Sequence, residues 1–304
     1  MTKQYHIPVM LHDALDGLLL KPGGIYVDLT FGGGGHSISL LKRLKEGALW
    51  AFDQDPDALL EAKKIEDPRF HFIRANFRFF APILRSLGVD RVDGILVDLG
   101  TSSHQLNQAN RGFAARLDGT LDMRMHATGE LTASKVVNSF SQQQLVKIFQ
   151  DYSDITNSKR LAREIVQARQ IQPIHTTAQL REAIHSCLPP YRDYQYLAKV
   201  FQALRIAVND EIQALEAMMA DVPNMLNPRG RWVVISYHSG EDRVVKRFIQ
   251  YGNKTGKPKK DFYGNLIRPL EPVYRKVLKP TQEEIKLNNS ARSARMRIAT
   301  PTIF

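Results

Sequence analysis

Four consecutive glycines between an acid and a histidine, Asp28-Leu-Thr-Phe-Gly-Gly-Gly-Gly-His36, constrain this chain more than any other feature. Ile25-Tyr-Val-Asp28 before them reads as a strand after the turn Lys21-Pro-Gly-Gly24. Residues 37–45 after them read as a helix, with Ile38, Leu40, Leu41 and Leu44 on the apolar side. Glycines at a strand-to-helix bend let the backbone turn sharply and let a ligand approach it closely. The helix that follows offers unpaired N–H groups to polar ligand atoms. No Gly-Lys-Ser/Thr is present, so this is not a phosphate loop of the P-loop kind. Counted from Gly32, the third glycine of a dinucleotide fingerprint falls on Ser37, which argues against an NAD-linked oxidoreductase. Asp28 is placed to face the cationic end of a ligand, directly or through water. The alternative use of such a turn is tight packing alone.

A second acid narrows the choice. Asp53 ends the strand Leu49-Trp-Ala-Phe-Asp53, 18 residues after Gly35, where it can accept hydrogen bonds from both ribose hydroxyls of an adenosine. Its alternative use as a helix cap is better served by Asp55, with Pro56 opening a helix over 56–65. Two acids at two strand ends around a glycine turn point to S-adenosylmethionine. Phe77 follows a third strand, Phe70-His-Phe-Ile-Arg74, where it could flank an adenine ring. A fourth strand, Gly94-Ile-Leu-Val-Asp98, runs into Leu99-Gly-Thr-Ser-Ser103. In an open α/β sheet Asp98 then faces the same crevice. Methylating an exocyclic amine requires acceptors for its protons, and Asp98 with the carbonyl of Leu99 or Gly100 would supply them. The Pro-Pro-aromatic motif of many DNA amino-methyltransferases is absent. A fifth strand, Arg231-Trp-Val-Val-Ile-Ser236, leads into Tyr237-His-Ser-Gly-Glu-Asp-Arg243. His238 is a candidate to bond the base or its phosphate, while Ser239, Glu241 and Asp242 serve equally as caps of the next helix.

Strands alternating with helices imply βαβ units and a doubly wound, mainly parallel sheet. From Asn107 to about Gln195 the pattern changes. Helices are expected near 132–140, 141–151, 158–169 and 177–188, with no convincing strand, so 107–206 reads as an inserted all-helical domain between the two parts of an α/β domain, 1–106 and 207–304. Afterwards a helix over 209–226, a turn at Asn227-Pro-Arg-Gly230, a helix over 241–251, a mobile loop over 254–269 and strands at 273–278 and 296–299 are expected.

The chain has 304 residues and a net charge of +11. Residues 243–304 hold 15 Lys and Arg against 4 Asp and Glu, so the whole excess sits in the last fifth. Such a segment attracts polyanions, RNA above all, or serves as a solvated surface. One cysteine, Cys187, leaves no internal disulfide and no cysteine zinc cluster. His6, His12, His71 and His185 show no metal-ligand spacing, and no metal is expected. No secretory signal or membrane span is read, and a cytoplasmic location is expected. The oligomeric state is not encoded legibly.

Several segments together resemble one family. They are the glycine turn, Asp98-Leu-Gly-Thr-Ser-Ser-His-Gln-Leu106, Arg111-Gly-Phe, Asp118-Gly-Thr-Leu-Asp-Met-Arg-Met125, Phe201-Gln-Ala-Leu-Arg-Ile206, Ile235-Ser-Tyr-His-Ser-Gly-Glu-Asp-Arg-Val-Val-Lys246 and Ser290-Ala-Arg-Ser-Ala-Arg295. In this order, from about His6 to Ile298, the chain resembles the bacterial 16S ribosomal RNA cytosine-N4 methyltransferases, the MraW or RsmH family. The resemblance implies a class I methyltransferase fold and a helical insertion that engages RNA. It implies S-adenosylmethionine as donor and N4 of a decoding-region cytidine in 16S ribosomal RNA as acceptor. It puts cofactor contacts on Gly34, Gly35, His36, Asp53, Phe77, Asp98 and Gln105. Tyr237 and Gly240 stand where the family usually has Phe and Leu. A non-catalytic RNA-binding scaffold is the rival from another class; the glycine turn with Asp53 and Asp98 argues against it.

Overall fold

The computed structural model describes residues 8–126 and 129–302; His6 lies outside them. Short apolar runs alternate with amphipathic ones through the first hundred residues and set up α1 (Leu11–Gly17), β1 (Ile25–Asp28), α2 (Gly35–Arg43), β2 (Ala48–Asp53), α3 (Pro56–Ala62), β3 (Phe70–Arg74), α4 (Phe80–Ser86) and β4 (Val92–Asp98). Six helices follow: α5 (Ser103–Asn107), α6 (Ala133–Ser139), α7 (Gln142–Ser153), α8 (Ser158–Ile171), α9 (Thr177–Ala183) and α10 (Asp193–Asn209). The alternation then resumes with α11 (Glu211–Met225), β5 (Leu226–Ser236), α12 (Ser239–Tyr251), β6 (Leu270–Pro272), α13 (Gln282–Leu287) and β7 (Arg295–Pro301).

Two compact units result, Met1–Gly100 with Ile212–Phe304, and Thr101–Glu211. The divisions fall a few residues from those read at 106 and 206. Ser102 caps α5 within the second unit, and α10 runs on to Asn209, where left-handed Asp210 (φ 53°) ends it.

In the first unit seven strands form one sheet in the order β3-β2-β1-β4-β5-β7-β6. The first four junctions are parallel, and β7 is antiparallel to both its neighbours. This is the class I methyltransferase sheet, doubly wound as expected. Side chains alternate between its faces. Val27, Ile95, Val97, Trp232 and Val234 join a core with Phe80, Leu84, Leu215, Met218 and Val245 of α4, α11 and α12. Tyr26, Leu96, Val233 and Ile235 join the opposite core with Ala14, Leu15, Leu40 and Leu41 of α1 and α2. The order reverses between β1 and β4, so the last residues of the strands flanking the reversal are Asp28 and Asp98.

Three local expectations change. The turn read at Asn227–Gly230 is an irregular stretch of β5, with Arg229 at φ 66° and a register shift opposite Val92 and Gly94. The strand read at 273–278 is displaced to β6: prolines 269 and 272 bracket its short pairing, and beyond it only Val273 and Leu278 bond to β7. The loop over 254–269 is not featureless, because a bridge pairs Lys260 with Leu266.

The second unit is helical around Leu145, Phe149, Leu161, Ile165, Leu180 and Leu204. Capping boxes start α7 and α9, Ser141 with Gln144 and Thr176 with Gln179. The segment 118–125 is tied inward. Gly119 N–H donates to Thr177 Oγ1 (3.1 Å), and Asp118 Oδ1 accepts from Ala178 N–H (3.2 Å). Asp122 takes a forked pair of bonds from Arg124 (2.8 and 2.7 Å). Asn209 bonds Met123 O and Met125 N at 2.8 and 2.7 Å. Arg111 donates to Arg124 O (2.9 Å) and lies over the Phe113 ring. Gly112 sits at φ +72°, and a Cβ there would run into the Thr120 carbonyl. Gly112→Ala therefore combines left-handed strain with a backbone collision. It should destabilise the chain by about 2 kcal/mol or more in urea unfolding, and a loss below roughly 0.5 kcal/mol would contradict this account.

Candidate active site

The glycine bend is built from Asp28 outward. Asp28 closes β1 and is 1% exposed. Its Oδ1 accepts from Thr30 N–H (3.1 Å) and its Oδ2 from the Ser37 hydroxyl (2.6 Å). The carboxylate thus ties the strand end to the first turn of α2. The expected direct approach of Asp28 to a ligand is not what the side chain does, because it lies beneath the bend. Gly34 N–H donates to Phe31 O (2.8 Å), and Gly34 caps α2 at φ +78°. A Cβ on Gly34 would come within 2.7 Å of the Phe31 ring, and one on Gly35 would run into Pro8. Backbone is therefore what this bend presents.

Asp53 is tied to the same bend. Its Oδ2 accepts from Gly32 N–H (2.8 Å) and its Oδ1 from Asp55 N–H (2.9 Å). Each oxygen keeps a lone pair for a further donor. Asp55 caps α3 as expected. Across the next strand, Asn76 Nδ2 donates to Gln54 Oε1 (2.9 Å), fixing the chain between Asp53 and half-buried Phe77. Phe77 begins a one-turn 3₁₀ helix and leans on the core of this unit.

Asp98 ends β4. Its own N–H donates to Thr30 Oγ1 (2.7 Å), so the ends of β1 and β4 are joined. Tyr237 donates its hydroxyl to Asp98 Oδ1 (2.8 Å), and His36 Nδ1 lies 3.8 Å from Oδ2. His36 is 7% exposed, and its Nε2 is 3.1 Å from Val9 O. A carbonyl only accepts, so Nε2 carries the hydrogen. Tyr237 was part of a recognisable segment but had no role in the sequence reading. The signal was there: it is the hydroxylated residue where a phenylalanine is usual.

His238, the candidate for the base or its phosphate, is held within its own helix start. It caps α12, its Nδ1 accepting from Gly240 and Glu241 N–H (3.2 and 3.4 Å). Its Nε2 lies 3.1 Å from Glu241 Oε1, and Glu241 Oε2 accepts from Tyr237 N–H (3.0 Å). Asp242 instead binds Arg297 (2.7 and 3.2 Å) and Arg295 (3.2 Å), fastening α12 to β7. Gln105 lies in the second unit, 6% exposed, and bonds Ser102 N–H through Oε1 (3.1 Å) to close the capping box of α5.

The site is crowded with negative charge. Burial pushes Asp28, Asp53 and Asp98 each up to about 6. For Asp98 the nearby His36 and the Tyr237 hydroxyl pull the other way. Burial and the Asp98 charge hold the Tyr237 phenol well above its ordinary range. These carboxyls bind protons more tightly folded than unfolded. Their contribution is therefore greatest at acid pH and is lost as pH rises from about 4 through about 6. For buried Asp28 the penalty of ionisation is up to about 3 kcal/mol. The ligand-free protein should melt higher at pH 5 than at pH 7.5, with the gap reduced in Asp28→Asn. A melting temperature that rises between pH 5 and 7.5 would overturn the charge assignment.

Comparison with known proteins places this geometry. The chain is 50% identical over 299 residues to a protein of Flavobacterium johnsoniae named ribosomal RNA small subunit methyltransferase H, covering 98% of each chain. A protein of the same name from Amoebophilus asiaticus is 47% identical over 301 residues, covering 99% of this chain and 97% of the relative. Solved structures give looser likenesses: an rRNA methylase from Streptococcus thermophilus (11% identity, 100% and 99% of the two chains, TM-score 0.42) and the N-methyltransferase NodS from Bradyrhizobium japonicum (8% identity, 96% and 94%, TM-score 0.43). The model of the MraW methylase family matches residues 3–302, and the chain belongs to that family.

Proposed function

We propose that this chain transfers a methyl group from S-adenosylmethionine to N4 of a cytidine in the decoding region of 16S ribosomal RNA, within the small ribosomal subunit. The observation that carries the reading is Asp98, a partly buried carboxylate at the sheet's reversal, held by Tyr237 and faced by His36. The names of the relatives point to small-subunit ribosomal RNA as the substrate.

The residues present fit the donor. Asp53 has a lone pair left on each oxygen for the ribose hydroxyls, and Phe77 offers an apolar face for adenine. The Gly34–Gly35 backbone has no room for side chains, and the acids suit a cation. Gly34, Gly35, His36, Asp53, Phe77 and Asp98 form the cofactor set within the first unit; Gln105 is carried as a cofactor contact by the family resemblance alone. When bound, S-adenosylmethionine supplies an electrophilic methyl on a positively charged sulfur.

The chain's own residues do the rest by positioning. Asp98 and the carbonyl of Leu99 or Gly100 accept the hydrogen bonds of the exocyclic amine. This frees the nitrogen lone pair from the ring and stabilises the positive charge that develops on nitrogen, and the methylated nitrogen becomes neutral by releasing one of those hydrogen-bonded protons to solvent. The Tyr237 hydroxyl holds one Asp98 oxygen in place and favours its ionised form. His238 acts indirectly, by fixing the start of α12 beside Tyr237. A base within structured RNA must be unstacked to reach such a site.

The direct test is mass mapping of methylcytidines in ribosomal RNA from cells with and without this protein: one N4-methyl mark should disappear, and an unchanged map would refute the reading. Asp98→Asn should cut kcat by at least about a hundredfold in a tritiated-methyl assay on small subunits. Near-normal turnover would remove Asp98 from the reaction. kcat/KM for S-adenosylmethionine, which reports the free enzyme, should fall as pH drops through about 6. Tyr237→Phe should move that acid limb upward by roughly one pH unit, because the carboxylate loses a stabilising donor. An unmoved limb would leave Tyr237 with a packing role only.

A further inference from the structure

One built element of the first unit has no part in the site described above. Within 254–269, expected to be a mobile loop, residues 257–269 form a small hairpin with an internal keystone. Asp261 Oδ1 accepts from Tyr263 N–H (2.9 Å) and Asn265 N–H (2.8 Å), and Oδ2 accepts from Asn265 Nδ2 (3.1 Å). Asp261 N–H donates to Asn265 O and Ile267 N–H to Lys259 O, both at 2.9 Å, with Gly264 at φ +87°. The base of the hairpin is tied as well. Asn253 Nδ2 donates to Lys257 O (2.8 Å), and Asn253 Oδ1 accepts from Gly256 N–H (3.0 Å).

All this order presents two aromatic rings to solvent. Phe262 is 97% exposed and Tyr263 85%, their centroids 5.6 Å apart and their planes nearly perpendicular. Neither ring is buried by its own chain, so the side chains contribute almost nothing to folding. The flanking Lys257, Lys259 and Lys260 are all exposed. Aromatic faces set among cations on a preformed turn match a polyanion that has planar rings of its own: unpaired RNA, whose bases stack on aromatics and whose phosphates meet lysines. Because the turn is already fixed, little chain entropy is lost on binding. An apolar protein groove would match the rings but not the lysines.

We propose that this hairpin is an RNA-reading finger: Phe262 and Tyr263 stack on unpaired bases of the ribosomal RNA, and Lys257, Lys259 and Lys260 meet the flanking phosphates. The proposal rests on the RNA-methylating reading above and adds to it a contact outside the sheet-edge site.

The test uses the full chain, small ribosomal subunits and tritiated S-adenosylmethionine. Phe262→Ala with Tyr263→Ala should raise KM for the subunits about tenfold or more. Saturated kcat and the affinity for S-adenosylhomocysteine, measured by calorimetry, should not change. Tyr263→Phe should keep the wild-type KM, whereas leucine at both positions should behave like alanine. Gln at all three lysines should reduce the slope of log KM against log salt by about 2 to 3. An unchanged KM in the double alanine variant overturns the finger. So does a wild-type KM in the double leucine variant, which would mean apolar docking onto a protein. If the wild-type chain methylates no subunit at all, the functional reading has failed instead, and the two failures are told apart by that control.

Discussion

A chain that leaves a central strand for a helix at the point where a sheet reverses must satisfy its buried polar groups without spending the ones a ligand needs. Asp28 resolves this with one carboxylate, joined to Thr30 N–H and to the Ser37 hydroxyl. The rest of the site is fastened to the same bend, Asp53 through Gly32 N–H and Asp98 through the Thr30 hydroxyl. Three strand ends are held as one piece. The cost is three carboxyls whose burial resists ionisation. A cationic ligand would offset that cost, so the burial that resists ionisation of these carboxyls is what suits them to a sulfonium.

Much of this was legible in the sequence. β1 and β3 begin and end where apolar alternation placed them, and the glycine run lies between strand and helix as read. Two helices, α1 and α10, were not legible, although α2, α4 and α8, equally without side-chain caps, were read from their apolar spacing. α1 follows left-handed Met10, and α10 follows Arg192, and neither has a side-chain cap. At the site, residue type identified Asp53 and Asp98, but not which lone pairs were already taken. Asp28 was read as facing a ligand directly or through water, and its oxygens hold the bend; His238, a candidate for the base or its phosphate, caps α12. Composition also misled at 254–269, where Lys, Gly and Pro suggested mobility. There the side-chain bonds of Asp261, which no compositional count registers, impose a turn.

The segments that carry the family resemblance divide into two kinds. Some shape the site, as Asp98 and Tyr237 do. Others hold the molecule together. Residues 118–125 are occupied within the second unit: Arg124 pairs with Asp122 and donates to Gly129 O, and Arg111 bonds back to the same segment. Arg295 and Arg297 are likewise spent on Asp242. Arg111, Arg124 and Arg295 are thus engaged within their own units, whereas Arg292 of the same segments is exposed. The exposed lysines of the hairpin belong to a stretch that carries no part of the resemblance.

The interruption of the sheet also bears on how the polypeptide is made. β4 pairs with β1 on one side and β5 on the other, yet β5 is synthesised more than a hundred residues after β4. At ordinary translation rates the open edge of β4 waits on the order of ten seconds for its partner. Within that interval the second unit emerges whole and has every residue of its own core. Its helices have mainly local contacts to make and form quickly, so the nascent chain is expected to order its middle before it completes its two ends. An enzyme with this connectivity closes its catalytic sheet last.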